Sequence, residues 1–275
     1  MNLQRGIAAG VPYVAKPPIS GAAENAPVVF GWHLMDSPRS EVAFEAAVPM
    51  EGLDAWRIYL GLPLCGSRMP AGGFDEIMQL GMEDAVLNLH GPIADQAVRE
   101  FADVYPLLRE KFGFGDAALG VMGGSLGAAI ASLIIAERVM PVRAAVLVSP
   151  LLQLRAVVAA MSRVYGIDYE WTPEANRVAD RLDFVARASD FARAGTPPVR
   201  AIVGADDETD GFIEPAENFI GAVRSVYNGT PTDLQFVDNM AHALADEPGL
   251  EATPQLPHAS KVDALTVEWF TQHLR

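Results

Sequence analysis

Ala117-Ala118-Leu119-Gly120-Val121-Met122-Gly123-Gly124-Ser125-Leu126-Gly127-Ala128-Ala129-Ile130-Ala131-Ser132-Leu133 joins a short apolar strand to an apolar helix through a Gly-x-Ser-x-Gly pentapeptide. A chain that leaves a strand and turns at once into a helix must hold one residue at positive φ. Gly123 and Gly127 lack the Cβ atoms that would collide across such a turn, so the Ser125 hydroxyl can project from its tip with the Leu126 N–H pointing the same way. The helix beginning there adds a partly positive end, which favours developing negative charge. The chain has 24 glycines, so the pentapeptide alone decides little. Its context decides more: a strand-length apolar run stands before it, and small apolar residues continue after it through Ile134, Ile135 and Ala136. Ser125 is therefore the expected nucleophile.

The remaining composition narrows the class. The chain has 275 residues, half of them hydrophobic, enough for one large α/β domain over residues 1–275 with a sizeable core. Twenty Lys and Arg stand against 35 Asp and Glu, a formal net charge of −15 with no basic stripe, which argues against nucleic acid and anionic membrane as partners. One cysteine, Cys65, excludes an internal disulfide and a cysteine-based zinc site, and the five histidines show no close ligand spacing, so no metal is expected. The segment Gly6 to Ala15, broken by Gly10 and Pro12, makes a poor secretory leader, and nowhere do eighteen apolar residues run together. A cytoplasmic protein is expected, with a homodimer as one arrangement open to it.

Outward from the pentapeptide, apolar runs alternate with helical patterns, as in a largely parallel sheet with helices on both faces. Strands are expected at Val28–Phe30, Ala55–Leu60, Val142–Val148, Val199–Val203 and Asp233–Val237, and helices at Ser37–Val48, Pro92–Phe112, Ile213–Tyr227 and Val262–Leu274. Residues 16–27 read as an irregular lead-in. Past Pro150 the texture changes: residues 151–195 carry helical patterns without a clear strand, and large side chains at Met161, Tyr165, Tyr169 and Trp171. We read this stretch as an inserted helical cap, with Met161, Tyr165 and Trp171, together with His33, as candidate walls of a substrate pocket.

A serine hydroxyl needs an imidazole to take its proton, and the imidazole needs a carboxylate to hold its tautomer. His33 precedes the nucleophile, His90 lies in a Gly/Pro loop, His258 in a Pro-bounded loop, and His273 near the end of the last helix. His242 remains, directly after the last expected strand, where a loop can reach back to the serine. The carboxylate is sought in Asp206-Asp207-Glu208-Thr209-Asp210, after the preceding strand.

With these residues in place the chain resembles the α/β-hydrolase fold family from about residue 27 to 275: the order Ser, Asp, His is that of the family. The resemblance implies a three-layer fold, a mostly parallel sheet of about eight strands with helices on both faces and a small cap. It also implies an acid three residues after the glycine closing its strand, which is Asp207 after Gly204, with Asp206 and then Asp210 as competitors. Trp32-His33-Leu34-Met35-Asp36-Ser37-Pro38 is similar to the family's His-Gly-x-Gly-x-Ser-Pro loop, whose amide joins Leu126 N–H in an oxyanion hole. Leu34 departs from the pattern, leaving the Leu34 and Met35 amides as alternatives. Gly61 to Arg68 resembles the family's Asp-x-Pro-Gly-x-Gly-x-Ser segment, with Leu62 where an acid often stands. The implied activity is cofactor-free acyl transfer on a small or medium apolar carboxylic ester. Peptidase or thioesterase action on the same triad, and a non-hydrolytic catalyst or binder on this fold, are the alternatives.

Overall fold

The computed structural model describes residues 3–274 apart from 23, 116, 167, 194, 196 and 228. The apolar runs form one eight-stranded sheet: β1 (Gln4–Ala8), β2 (Val11–Lys16), β3 (Val28–Trp32), β4 (Trp56–Leu60), β5 (Leu119–Gly124), β6 (Ala144–Val148), β7 (Val199–Gly204) and β8 (Thr232–Val237). Their spatial order is β1-β2-β4-β3-β5-β6-β7-β8. β2 runs against β1 and β4, and from β4 to β8 every neighbouring pair is parallel. β3 to β7 are buried along their whole length, which is why they read as continuous apolar runs rather than alternating ones.

Helices cover both faces. On one, α1 (Glu41–Ala47) and α9 (Pro257–His273) bury Phe44, Val262, Trp269 and Phe270 against Val29, Met122 and Val146. On the other, α3 (Gly91–Phe112), α4 (Leu126–Ala136), α7 (Ala188–Arg193) and α8 (Glu214–Val226) pack Phe101, Ile130, Phe191 and Phe219 over Phe30, Val121 and Ala201. Every residue of α4 is buried, as its uniformly small and apolar sequence requires.

Four sequence expectations shift. The N-terminal residues form the β1–β2 hairpin, which Gly6 and Pro12 disguise; Ala9 and Gly10 turn it, both at positive φ (47° and 81°). The first helix begins at Glu41 rather than Ser37. Ser40 caps it by accepting Ala43 N–H at 3.1 Å, and residues 37–40 bond instead to the loop at 244–250. α2 (Gly73–Asp84) runs into a π-turn at Ala85–His90, so His90 is buried in a helical turn and not in a loop. Only Ile77 of α2 is buried, so its sequence carries no core stripe to read. Finally, α9 starts at Pro257, which places His258 in its first turn.

Between β6 and β7 lie α5 (Leu154–Tyr165), α6 (Pro173–Arg181) and α7. α6 packs on the π-turn at 85–90, while α7 packs on α4 and α8, and so belongs to the layer over the sheet. α5 packs on a second π-turn, Thr209–Ile213, that follows β7. Among the described residues no helix is long and apolar enough to cross a membrane.

Candidate active site

Ser125 stands between β5 and α4 with φ 49° and ψ −115°, a conformation that costs about 1–3 kcal/mol and persists only where its surroundings enforce it. The enforcing contacts are glycine contacts. A Cβ on Gly123 would lie 2.1 Å from Gly127 O, and one on Gly127 would lie 2.2 Å from Trp32 O. Two hydrogen bonds hold the elbow from β6 and the loop after it: Ser125 N–H donates to Val148 O (2.9 Å) and Leu151 N–H to Ser125 O (3.2 Å). Leu126 N–H, the first of α4, has no acceptor within its own helix, whereas Ala128 N–H and Ala129 N–H both turn back to Ser125 O.

The imidazole of His242 meets Asp207, with Nδ1 3.1 Å from Oδ2 and 3.2 Å from Oδ1. In the neutral tautomer that donates Nδ1–H to this carboxylate, Nε2 carries the lone pair. Asp207 also accepts Glu208 N–H at 2.8 Å, and its side chain is 2% exposed. Its neighbours in the acidic run stand elsewhere: Asp206 is exposed and its N–H donates to Met240 O, while Asp210 pairs with Arg163 at 2.8 Å. Ser125 lies at the same carboxyl edge of the sheet as this pair. No hydrogen bond joins its hydroxyl to His242.

The loops that carry these groups are tied to one another. A Cβ on Gly204 would lie 2.2 Å from Met240 O, so the histidine loop rests directly on the backbone that leads to Asp207. The loop after β3 is joined to the histidine loop by Leu244 N–H to Ser37 O (2.9 Å), Ser37 Oγ to Asp246 O (2.8 Å) and Ser40 Oγ to Leu250 O (2.6 Å).

His33, expected as a pocket wall, is corrected by its burial: it is 0% exposed and both ring nitrogens are engaged. Nδ1 donates to Leu34 O at 2.6 Å, and Nε2 accepts Leu62 N–H at 3.0 Å. Burial outweighs the Leu34 bond and pulls the imidazole down to about 4, so it is neutral at pH 7. Because a trans peptide points its carbonyl and its N–H in opposite directions, holding Leu34 O inward turns Met35 N–H outward. Leu34 itself fills the space beside Gly124, where a Cβ would lie 2.2 Å from Leu34 Cδ1. His33 is thus a strut beneath the expected oxyanion donor.

Met161 and Tyr165 are 38% and 52% exposed on α5. Trp171 packs edge-on against Tyr169 (4.8 Å) beneath Arg155, and both rings line a cavity of about 520 Å³ with Val158, Ser162 and Arg163. Tyr169 donates to Asp84 at 2.7 Å, tying the segment between α5 and α6 to the end of α2. Burial pushes the Cys65 thiol up to about 12, which leaves it unreactive. Among the described residues no group of three or more His, Cys, Asp or Glu could hold a metal ion.

One residue of the site escapes sequence reasoning altogether. Phe212 packs on His242, and nothing in its surroundings along the chain marks it.

No family model matches the chain, and no curated protein matches it either. Solved structures do. TT1662 from Thermus thermophilus is 18% identical with a TM-score of 0.61, over 98% of each chain. Dienelactone hydrolase from Anabaena variabilis is 16% identical at 0.57, over the full length of both. The uncomplexed acylaminoacyl peptidase of Pyrococcus horikoshii is 13% identical at 0.64, over 99% of this chain and 41% of its own. The fold is that of the α/β-hydrolases.

Proposed function

We propose that this chain is a serine hydrolase that cleaves a carboxylic ester of a small or medium apolar acid through an acyl-enzyme. The observation that carries the reading is the pairing of His242 with Asp207, 3.1 Å apart, at the sheet edge where Ser125 is held at φ 49°. His242 Nε2 takes the Ser125 proton as Oγ bonds to the acyl carbon, and gives that proton to the departing alcohol as the tetrahedral intermediate collapses. Water, deprotonated by the same nitrogen, then attacks the acyl-enzyme, and as the Ser125 Oγ–acyl bond breaks to free the acid the proton passes from Nε2 to Oγ. Leu126 N–H and Met35 N–H bind the oxyanion, each worth about 3 kcal/mol in the transition state.

The test is hydrolysis of p-nitrophenyl acetate, longer p-nitrophenyl esters and an acylaminoacyl p-nitroanilide, with fluorophosphonate labelling of wild type and Ser125→Ala. Ester turnover and labelling, both lost in Ser125→Ala, are expected. Cleavage of the anilide in preference to the esters would turn the assignment to a peptidase, and failure of every substrate together with failure to label would end it.

A further inference from the structure

The Phe212 ring lies against the His242 imidazole, with centroids 4.0 Å apart and planes inclined by 43°. It reaches that position from the acid loop. Phe212 belongs to the π-turn Thr209–Ile213, which Glu208 caps by accepting Gly211 N–H. The turn is wedged against α5, since a Cβ on Gly211 would lie 3.2 Å from Ala160 Cβ. Arg163 of α5 closes the same contact, bridging Glu208 at 2.7 Å and Asp210 at 2.8 Å. These ion pairs are about half exposed, so they contribute geometry more than stability.

The bond to Asp207 restrains only the Nδ1 edge of the imidazole and leaves the ring free to swing about that edge. A contact on its face removes this motion, and the swing matters because Nε2 must stay in line with Ser125 Oγ. We propose that Phe212 is the positioning residue of the general base, and that the cap helix α5 holds it in place through Gly211 and Arg163. Cap, π-turn, Phe212 and His242 then act in series, so the seating of α5 sets the aim of the base. The inference rests on the reading of Ser125 and His242 as nucleophile and base.

The experiment measures kcat and KM for p-nitrophenyl acetate, and the fluorophosphonate labelling rate, in wild type, Phe212→Leu, Phe212→Tyr and Arg163→Gln. An aim error of an ångström costs about a hundredfold, so Phe212→Leu is expected to lower kcat by about 10- to 100-fold with KM within about threefold. Phe212→Tyr, which keeps the ring, recovers to within about threefold of wild type, and Arg163→Gln loses about threefold in kcat. An unchanged kcat in Phe212→Leu overturns the proposal, as does a rise in KM alone or an equal loss in Phe212→Tyr. If the leucine variant melts far below wild type, Arg163→Gln decides, and an unchanged kcat there overturns it. Wild type that neither labels nor turns over removes the nucleophile assignment itself, whereas active wild type with an indifferent Phe212 removes only this inference.

Discussion

His33 offers a direct reading of how the site loop is built. In the unfolded chain its imidazole titrates near 6.5, and in the fold burial lowers it to about 4. Between these values the unfolded state binds a proton that the native state refuses, so folding stability must fall as pH drops through 6.5 and must stop falling on this account below about 4. At about 1.4 kcal/mol per tenfold in proton affinity, the full fall from 6.5 to 4 amounts to about 3 kcal/mol, of which about 2 kcal/mol develops between pH 7 and pH 5. Asp263, raised to about 6 by burial, works in the opposite direction over part of this window, so the comparison is made within a pair of proteins. His33→Gln replaces the ring with an amide that does not titrate, and leaves Asp263 untouched. Urea unfolding at pH 7 and pH 5 should show wild type losing about 2 kcal/mol more than the variant between the two pH values. Equal losses would mean that the imidazole is not held neutral, and with it would go the reading of His33 as a strut between Leu34 O and Leu62 N–H.

Asp207→Asn is expected to lower kcat by about 10³- to 10⁴-fold through the wrong imidazole tautomer, whereas Asp206→Asn, an exposed residue without contact to His242, should stay within about threefold; steady-state kinetics compares them. His242→Ala should abolish fluorophosphonate labelling, while His33→Ala keeps a measurable fraction because the base is intact; equal loss in both would move the base. Gly127→Ala forces a Cβ to within 2.2 Å of Trp32 O, a backbone atom that cannot yield, and should cost more than about 3 kcal/mol in urea unfolding. Gly221→Ala, on an exposed position of α8 with nothing within 4 Å, should instead stabilise by about 0.5–1 kcal/mol in the same assay.

By itself the sequence was enough for the elbow and the alternation of the layers. Both are short-range matters: a strand that turns into a helix needs missing Cβ atoms at Gly123 and Gly127, and a strand buried on both sides needs an unbroken apolar run. β1 and α2 escaped because their residues bury little of their own and so carry a weak pattern, whereas β2 is mostly buried but interrupted in the sequence by Pro12. The residues of the acidic run left three candidates and the resemblance pointed to Asp207; the tertiary structure is what sets this carboxylate against His242. That choice depends on how the loop after β8 lies on Gly204, a contact between chain segments more than thirty residues apart. It also turned His33 from a wall into a strut and brought Phe212 onto His242, because hydrogen-bond partners and ring contacts of this kind are set by where distant loops meet and leave no trace in local spacing.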